Sequence, residues 1–140
     1  MVGRLIQTAQ SAYQYPLIFK QLWHTPRVQA PDQEIVYRDL KRFTYRQIRE
    51  RIGRLASALS KAGVEPGDTV GVLEWDSNRF LEAFFAIPMM AAVLQTVNVR
   101  LSPEQIAYTI NHASASTLLV NDEFVGLLEE IGRASCRERV

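Results

Sequence analysis

The chain has 140 residues, 47% hydrophobic and 22% charged, and its 16 basic and 15 acidic side chains leave a formal charge of +1. Near neutrality supplies no electrostatic case for a nucleic-acid partner, and a single cysteine excludes a disulfide framework. The most apolar run, FLEAFFAIPMMAAVL at 80–94, is shorter than the roughly 20 residues of a membrane-spanning helix and carries Glu82 and Pro88, so it predicts a buried helix and no membrane span.

In chain order, MVGRLIQTAQSAYQYP has no long apolar core followed by a small-residue cleavage site, so no signal peptide is expected and the expected compartment is the cytoplasm. PLIFKQLWH (16–24) spaces Leu17, Ile18, Leu22 and Trp23 as a short helix. TPRVQAPDQ (25–33) reads as a loop, with two prolines and an aspartate. EIVYR and KRFT around a turn then predict a hairpin over 34–38 and 41–44. Thr44 followed by Gln47 is a reciprocal capping arrangement, and Ile48, Ile52, Leu55 and Leu59 form one apolar helical stripe that Gly63 terminates. TVGVL (69–73), bounded by turns, suits a strand buried on both faces. Asp76 or Ser77 caps a helix to about Met90 that is apolar on almost all sides and is expected to lie deep in the fold. AVLQTV (92–97) is the next strand. In LSPEQIAYTINHA, Ser102 caps, Pro103 takes the first helical position, Gln105 reaches back, and His112 suits the negative end of the helix dipole. STLLVND (116–122) is a further buried strand, and EFVGLLEE begins another helix. Strand and helix alternating at this spacing predict an α/β fold with a parallel sheet and crossover helices.

Little in these residues carries chemistry by itself. A phosphate-cradling loop needs closely spaced glycines, and no two of Gly3, Gly53, Gly63, Gly67, Gly71, Gly126 and Gly132 lie closer than four residues. His24 and His112 have no clustered partners that would make a metal site. Arg42, Arg46, Arg49, Arg51 and Arg54 form a basic run, read as a solvated helix face interrupted by Glu50. Trp75 and Asp76 follow the carboxyl end of a predicted parallel strand, where open sheets bind ligands, and are the ligand-proximal candidates.

The segment GVEPGDTVGVLEWDSNRFLEAFFAIPMMAAVLQTVNVRLSPEQIAYTINHA (63–113) resembles the early N-terminal domain of adenylate-forming acyl-CoA ligases, nearest to those for medium- and long-chain fatty acids. The P-G-D turn is matched by Pro66, Gly67 and Asp68. The P-x-M-x-A-V-L pattern is matched by Pro88, Met90, Ala92, Val93 and Leu94. The N-x-R-L-S/T-P-x-E/Q-I/L-x-Y-x-x-x-H pattern is matched by Asn98, Arg100, Leu101, Ser102, Pro103, Gln105, Ile106, Tyr108 and His112. The likeness spans about 15–128. Many members carry glycine at the positions of Met89 and Ala91, histidine at Gln95 and proline at Val99; larger side chains at 89 and 91 are expected to alter close packing around the deep helix. The resemblance implies that Pro88, Asn98, Arg100, Ser102 and His112 define the fold, and assigns no catalytic, cofactor or metal residue to this stretch. The family's Ser/Thr/Gly-rich phosphate loop and catalytic lysine lie further on. It implies a parent that uses ATP and Mg²⁺ to convert a carboxylate, here a medium- or long-chain fatty acid, to an acyl-adenylate and pyrophosphate. Coenzyme A then displaces AMP. A small-molecule carboxylate substrate and a homodimeric parent are implied with it.

The sequence closes on IGRASCRERV (131–140), which holds Cys136 among Arg133, Arg137 and Arg139. Arginines beside a thiol would lower its pKa and make it reactive. Back-translated, however, these ten residues read as a common short-read sequencing adapter, so 131–140 is expected to be a non-native tail. The expected organisation is an N-terminal segment at 1–30, the first βαβαβ part of an adenylate-forming N-terminal domain at 31–130, and that tail. Two other classes stay open on the residues: a self-contained small α/β binding or interaction domain, and a basic-helix nucleic-acid binder whose affinity would fall steeply with salt.

Overall fold

The computed structural model describes residues 9–12 and 18–137, with side chains through Gly132; Cys136 and its neighbouring arginines therefore lie outside the described side chains. Of the expected helix at 16–24, residues 16 and 17 lie outside the described residues; the rest forms two short helices, α1 (Phe19–Leu22) and α2 (His24–Gln29), and α2 runs into the expected loop. Pro26 permits this because it occupies the first turn of α2, where a backbone N–H has no intrahelical partner to lose. The hairpin forms from β1 (Glu34–Tyr37) and β2 (Lys41–Thr44), antiparallel with Glu34 opposite Thr44. Arg38, expected in the first strand, takes φ 49° with Asp39 at 55°. Left-handed backbone makes the turn and ends the strand one residue early.

Thr44 then starts α3 (Tyr45–Lys61). Its hydroxyl accepts from the Gln47 amide at 3.3 Å, and the Gln47 side-chain carbonyl accepts from the Thr44 N–H at 2.9 Å. Each bond satisfies a backbone donor that helix geometry leaves unpaired. Thr44→Ala is expected to cost about 1 kcal/mol, read as a lower urea midpoint with an unchanged slope. Ile48, Ile52 and Leu59 are buried and Leu55 is half-buried, as the stripe predicts. Gly63, at φ 93°, ends the helix.

Next come β3 (Thr69–Leu73), α4 (Asn78–Met89), β4 (Val93–Thr96), α5 (Pro103–His112) and β5 (Thr117–Val120). A 3-10 turn (Asp122–Phe124) leads into α6 (Val125–Arg137). The three strands form one parallel sheet in the order β4-β3-β5, with Val70 beside Leu94 and Thr117. Strand periodicity assigns the two faces. Val70 and Val72 pack with Leu59, Ala83 and Ile87 of α3 and α4. Leu73 packs with Ile106, Ala107 and Ile110 of α5 and with α6. Helices thus cover both faces of the centre strand, as continuous apolar strands require. A Cβ on Gly71 would stand 2.5 Å from Leu118 Cδ2, so glycine lets β5 close against β3.

Two expectations of deep burial are corrected. β4 and β5 are the outer strands of this sheet, so Val93 remains 51% exposed and all of β5 is half-buried. α4 buries Ala83, Ala86 and Ile87 but leaves Phe84 and Met89 exposed. An apolar composition all round a helix does not create neighbours on all its sides.

The alanine at 91 matters through the backbone. Met89 and Ala91 are both exposed, so their size does not press on α4's packing. Ala91 instead holds φ 63° in the turn leaving α4, fixed by Ala91 N–H to Pro88 O at 3.1 Å and Gly67 N–H to Ala91 O at 2.8 Å. Left-handed backbone costs a residue with a Cβ about 1 kcal/mol or more. Ala91→Gly is therefore expected to raise stability by about 1 kcal/mol, seen as a higher melting temperature; a fall would show that alanine's packing outweighs the strain.

α6 passes through the expected boundary at Glu130 without a break and buries Ile131 among Leu73, Val97 and Ile106. Ile131 lies in helical phase with Leu127 and Leu128, which face the same cluster. Phase alone brings such a residue inward.

Candidate functional site

β3 ends by delivering a buried carboxylate. The Glu74 side chain is 7% exposed. One oxygen accepts from the Trp75 amide at 3.0 Å and from Asn121 Nδ2 at 2.6 Å; the other accepts from Arg79 Nε at 2.9 Å. Glu74 thereby ties three elements together: the end of β3, the first turn of α4, and the segment after β5. The Arg79 pKa is raised, chiefly by its hydrogen bond to Glu74, while desolvation opposes the shift. Asn121 continues the link by accepting the Glu123 amide at 3.0 Å, which caps the 3-10 turn.

A second buried carboxylate lies one helical step inward. Glu82 of α4 is also 7% exposed and accepts from Arg51 Nε of α3 at 2.7 Å. Asn78, one turn earlier on α4, donates to it at 2.9 Å. Arg51 is held from its other side by the Phe43 ring, 4.6 Å from the guanidinium carbon. Between these groups is a cavity of about 450 Å³ floored by Leu55, Val72, Ala83 and Leu119. It opens at the carboxyl ends of β3 and β5, the end at which open α/β sheets receive ligands.

The ligand-proximal candidates lie beside this cavity, not on it. Trp75 turns toward the 3-10 turn, where its Nε1 donates to Glu123 at 2.7 Å and its ring meets Phe124 at 4.9 Å; Asp76 is exposed. Their neighbour Glu74 lines the cavity instead. Among the described residues no group of three or more His, Cys, Asp or Glu, including His24 and His112, is placed to hold a metal ion. Of the five arginines in the basic run, Arg42 pairs with Glu34 and Asp39, Arg46 with Asp32, Arg51 with Glu82 and Arg54 with Glu50. The Arg51–Glu82 pair was not anticipated. Its signal was present: Asn78 and Glu82, four apart in a helix that is otherwise apolar except for Arg79, are polar groups that burial obliges to find partners.

The motif residues are spread along the scaffold. Pro88 lies in the last turn of α4 and its carbonyl receives Ala91 N–H. Asn98 Oδ1 accepts the Arg100 amide at 3.0 Å and so turns the chain after β4. Arg100 is exposed. Ser102 caps α5, with its hydroxyl accepting Gln105 N–H at 3.3 Å and Gln105 Oε1 accepting Ser102 N–H at 3.2 Å. His112 ends α5 stacked on Tyr108 at 5.7 Å.

A family model described as AMP-binding enzyme matches residues 23–139. The chain belongs to the AMP-binding enzyme family. Among the similar proteins is the long-chain-fatty-acid–CoA ligase of Thermus thermophilus, 44% identical over 66% of this chain and 17% of its own length. The peroxisomal acetate/butyrate–CoA ligase of Arabidopsis thaliana is 36% identical over 78% of this chain and 20% of its length. The chain therefore spans about a fifth of the curated relatives it matches. An anthranilate CoA ligase solved with anthranoyl-AMP superposes with a TM-score of 0.77 at 26% identity, covering 86% of this chain and 24% of the solved one. A benzoate CoA ligase of Burkholderia xenovorans, 21% identical with a TM-score of 0.76, covers 85% of this chain and 24% of its own and shares the fold. Within this AMP-binding enzyme chain, the P-G-D turn acquires a visible task. Gly67, at φ 93°, donates to Ala91 O, and Asp68 O accepts Val93 N–H at 2.8 Å, so the turn before β3 sets the start of β4.

Proposed function

We propose that this chain is the scaffold-forming first part of an AMP-forming acid–CoA ligase. In that reading the longer parent joins a carboxylate to the α-phosphate of ATP, releasing pyrophosphate. Coenzyme A then takes the acyl group as a thioester and AMP leaves. Mg²⁺ supplies charge neutralisation on the phosphates when bound. The observation that carries the reading is the 44% identity to a long-chain-fatty-acid–CoA ligase over 66% of this chain. That likeness also favours a medium- or long-chain fatty acid as substrate, although relatives named for acetate or butyrate match 78% and 93% of this chain. Residues 31–130 serve this function by building one parallel-sheet layer; Pro88, Asn98, Ser102 and His112 shape its turns and helix ends. Homodimerisation and a cytoplasmic setting belong to the same reading. No helix among the described residues is long and apolar enough to cross a membrane.

The test is carboxylate-dependent exchange of labelled pyrophosphate into ATP. The parent, expressed whole with Mg²⁺, is expected to catalyse it with a fatty acid and to form the thioester when coenzyme A is added. The present chain is expected to show neither exchange nor saturable ATP binding. Exchange by these 140 residues alone would place catalytic groups inside them and overturn the scaffold reading.

A further inference from the structure

The first 31 residues hold three of the 16 basic side chains, Arg4, Lys20 and Arg27, and none of the 15 acidic ones. In the described part of this stretch the charge is at the surface. Lys20 of α1 and Arg27 of α2 are exposed and make none of the described ion pairs. The next acidic residues along the chain are already paired, Asp32 with Arg46 and Glu34 with Arg42. Beside these cations stand aliphatic side chains without cover: Ile18, Leu22 and Val28 are each half or more exposed. Ile18 and Leu22 are four apart and so share one side of α1. Phe19 and Trp23, also four apart, turn the other way. Phe19 meets Phe84 at 5.3 Å, and Trp23 meets Phe85 at 4.9 Å and Tyr45 at 5.8 Å. The aromatic groups that most often anchor protein partners thus turn inward, and the outer surface is left to leucine, isoleucine and valine, with leucine and valine rare as such anchors. Aliphatic side chains with lysine and arginine beside them suit the boundary of a bilayer with anionic headgroups. Long alkyl stems let Lys20 and Arg27 keep their charged heads among the phosphates while the aliphatic groups go deeper.

We propose that the α1–α2 face is a docking surface for an anionic lipid bilayer, with Ile18, Leu22 and Val28 entering the boundary between headgroups and acyl chains while Lys20 and Arg27 pair with lipid phosphates. Two short helices with three aliphatic side chains lie on such a surface reversibly; neither is long enough to cross it. The surface does not depend on the acid substrate, so vesicle binding and pyrophosphate exchange stand or fall separately.

The full 140-residue chain is sedimented with vesicles of phosphatidylcholine alone, or of phosphatidylcholine and phosphatidylglycerol in equal parts, at low and at high sodium chloride. It is expected to bind the mixed vesicles, to bind phosphatidylcholine far more weakly, and to leave the mixed vesicles as salt screens the headgroups. Lys20→Gln combined with Arg27→Gln is expected to weaken binding about 30-fold, from about fivefold per cation at an anionic surface. Ile18→Ser combined with Leu22→Ser is expected to remove it with an unchanged circular dichroism spectrum, since both positions are exposed. If the serine pair unfolds the chain, the charge pair carries the test by itself. Lys61→Gln, at the end of α3, and Val93→Ser, an exposed apolar position at the sheet edge, are expected to leave binding unchanged. Equal binding to phosphatidylcholine, binding that persists in high salt, or an equal loss from Val93→Ser would each overturn the proposal. Tighter binding to polyglutamate than to the mixed vesicles would overturn it in favour of an acidic protein partner. So would self-association in lipid-free buffer that the serine pair abolishes, without vesicle binding by the unchanged chain; the face would then join two copies.

Discussion

Arg51→Ala is expected to lower the unfolding free energy by about 3 kcal/mol, a large part of the roughly 5–15 kcal/mol that holds an ordinary domain. The loss is not the value of the Arg51–Glu82 contact. It is the cost of leaving the Glu82 charge withdrawn from water with Asn78 as its remaining donor. Arg51 is 36% exposed, so water entering behind the deleted side chain recovers part of that cost and holds the effect to the lower end of the usual range. A double-mutant cycle isolates the cause. Arg51→Met keeps much of the aliphatic surface against Phe43, and Glu82→Gln removes the charge that needed a partner. The pair together is expected to be more stable than Arg51→Met alone. Strict additivity in urea unfolding would mean that the two side chains are not coupled.

Leu73→Ala is expected to be equally damaging, costing about 2–5 kcal/mol. Leu73 is fully buried at the end of the centre strand, where α5 and α6 both rest on it. Truncation removes apolar contacts on a surface that two helices and Val97 of the β4–α5 connection share, and close-packed neighbours cannot collapse fully into the gap. Val93→Ala in β4 is the comparison. Val93 is half in solvent at the sheet edge, and its truncation is expected to change stability by no more than about 0.5 kcal/mol. Similar midpoints for the two variants would show that the α5/α6 layer is not packed on the sheet.

The resemblance and the local signals agree because both rest on short-range physics. The capping boxes at Thr44 and Ser102, the turn glycines at 63 and 67, and the apolar runs at 69–73 and 117–120 each act within a few residues. They were therefore legible without a fold. The parallel pairing was legible too, because strand and helix alternate at crossover spacing.

The amino-acid sequence by itself determined where α3 and α5 start, where α3 stops at Gly63, and which face of α3 is apolar. Tertiary structure decided which strand is central, and so which apolar residues are buried: β3 is enclosed on both sides, whereas Val93, equally apolar, stands at an edge. It decided that position 91 is a backbone question, since a left-handed turn is invisible in an alanine. It also decided the site. Glu82 looked like a charge interrupting an apolar run, and Arg51 like one of five solvated arginines. Only the packing of α3 on α4 brings them to 2.7 Å and opens the cavity they line. Side-chain pairing across 31 positions depends on the relative placement of two helices, and no local pattern encodes that distance.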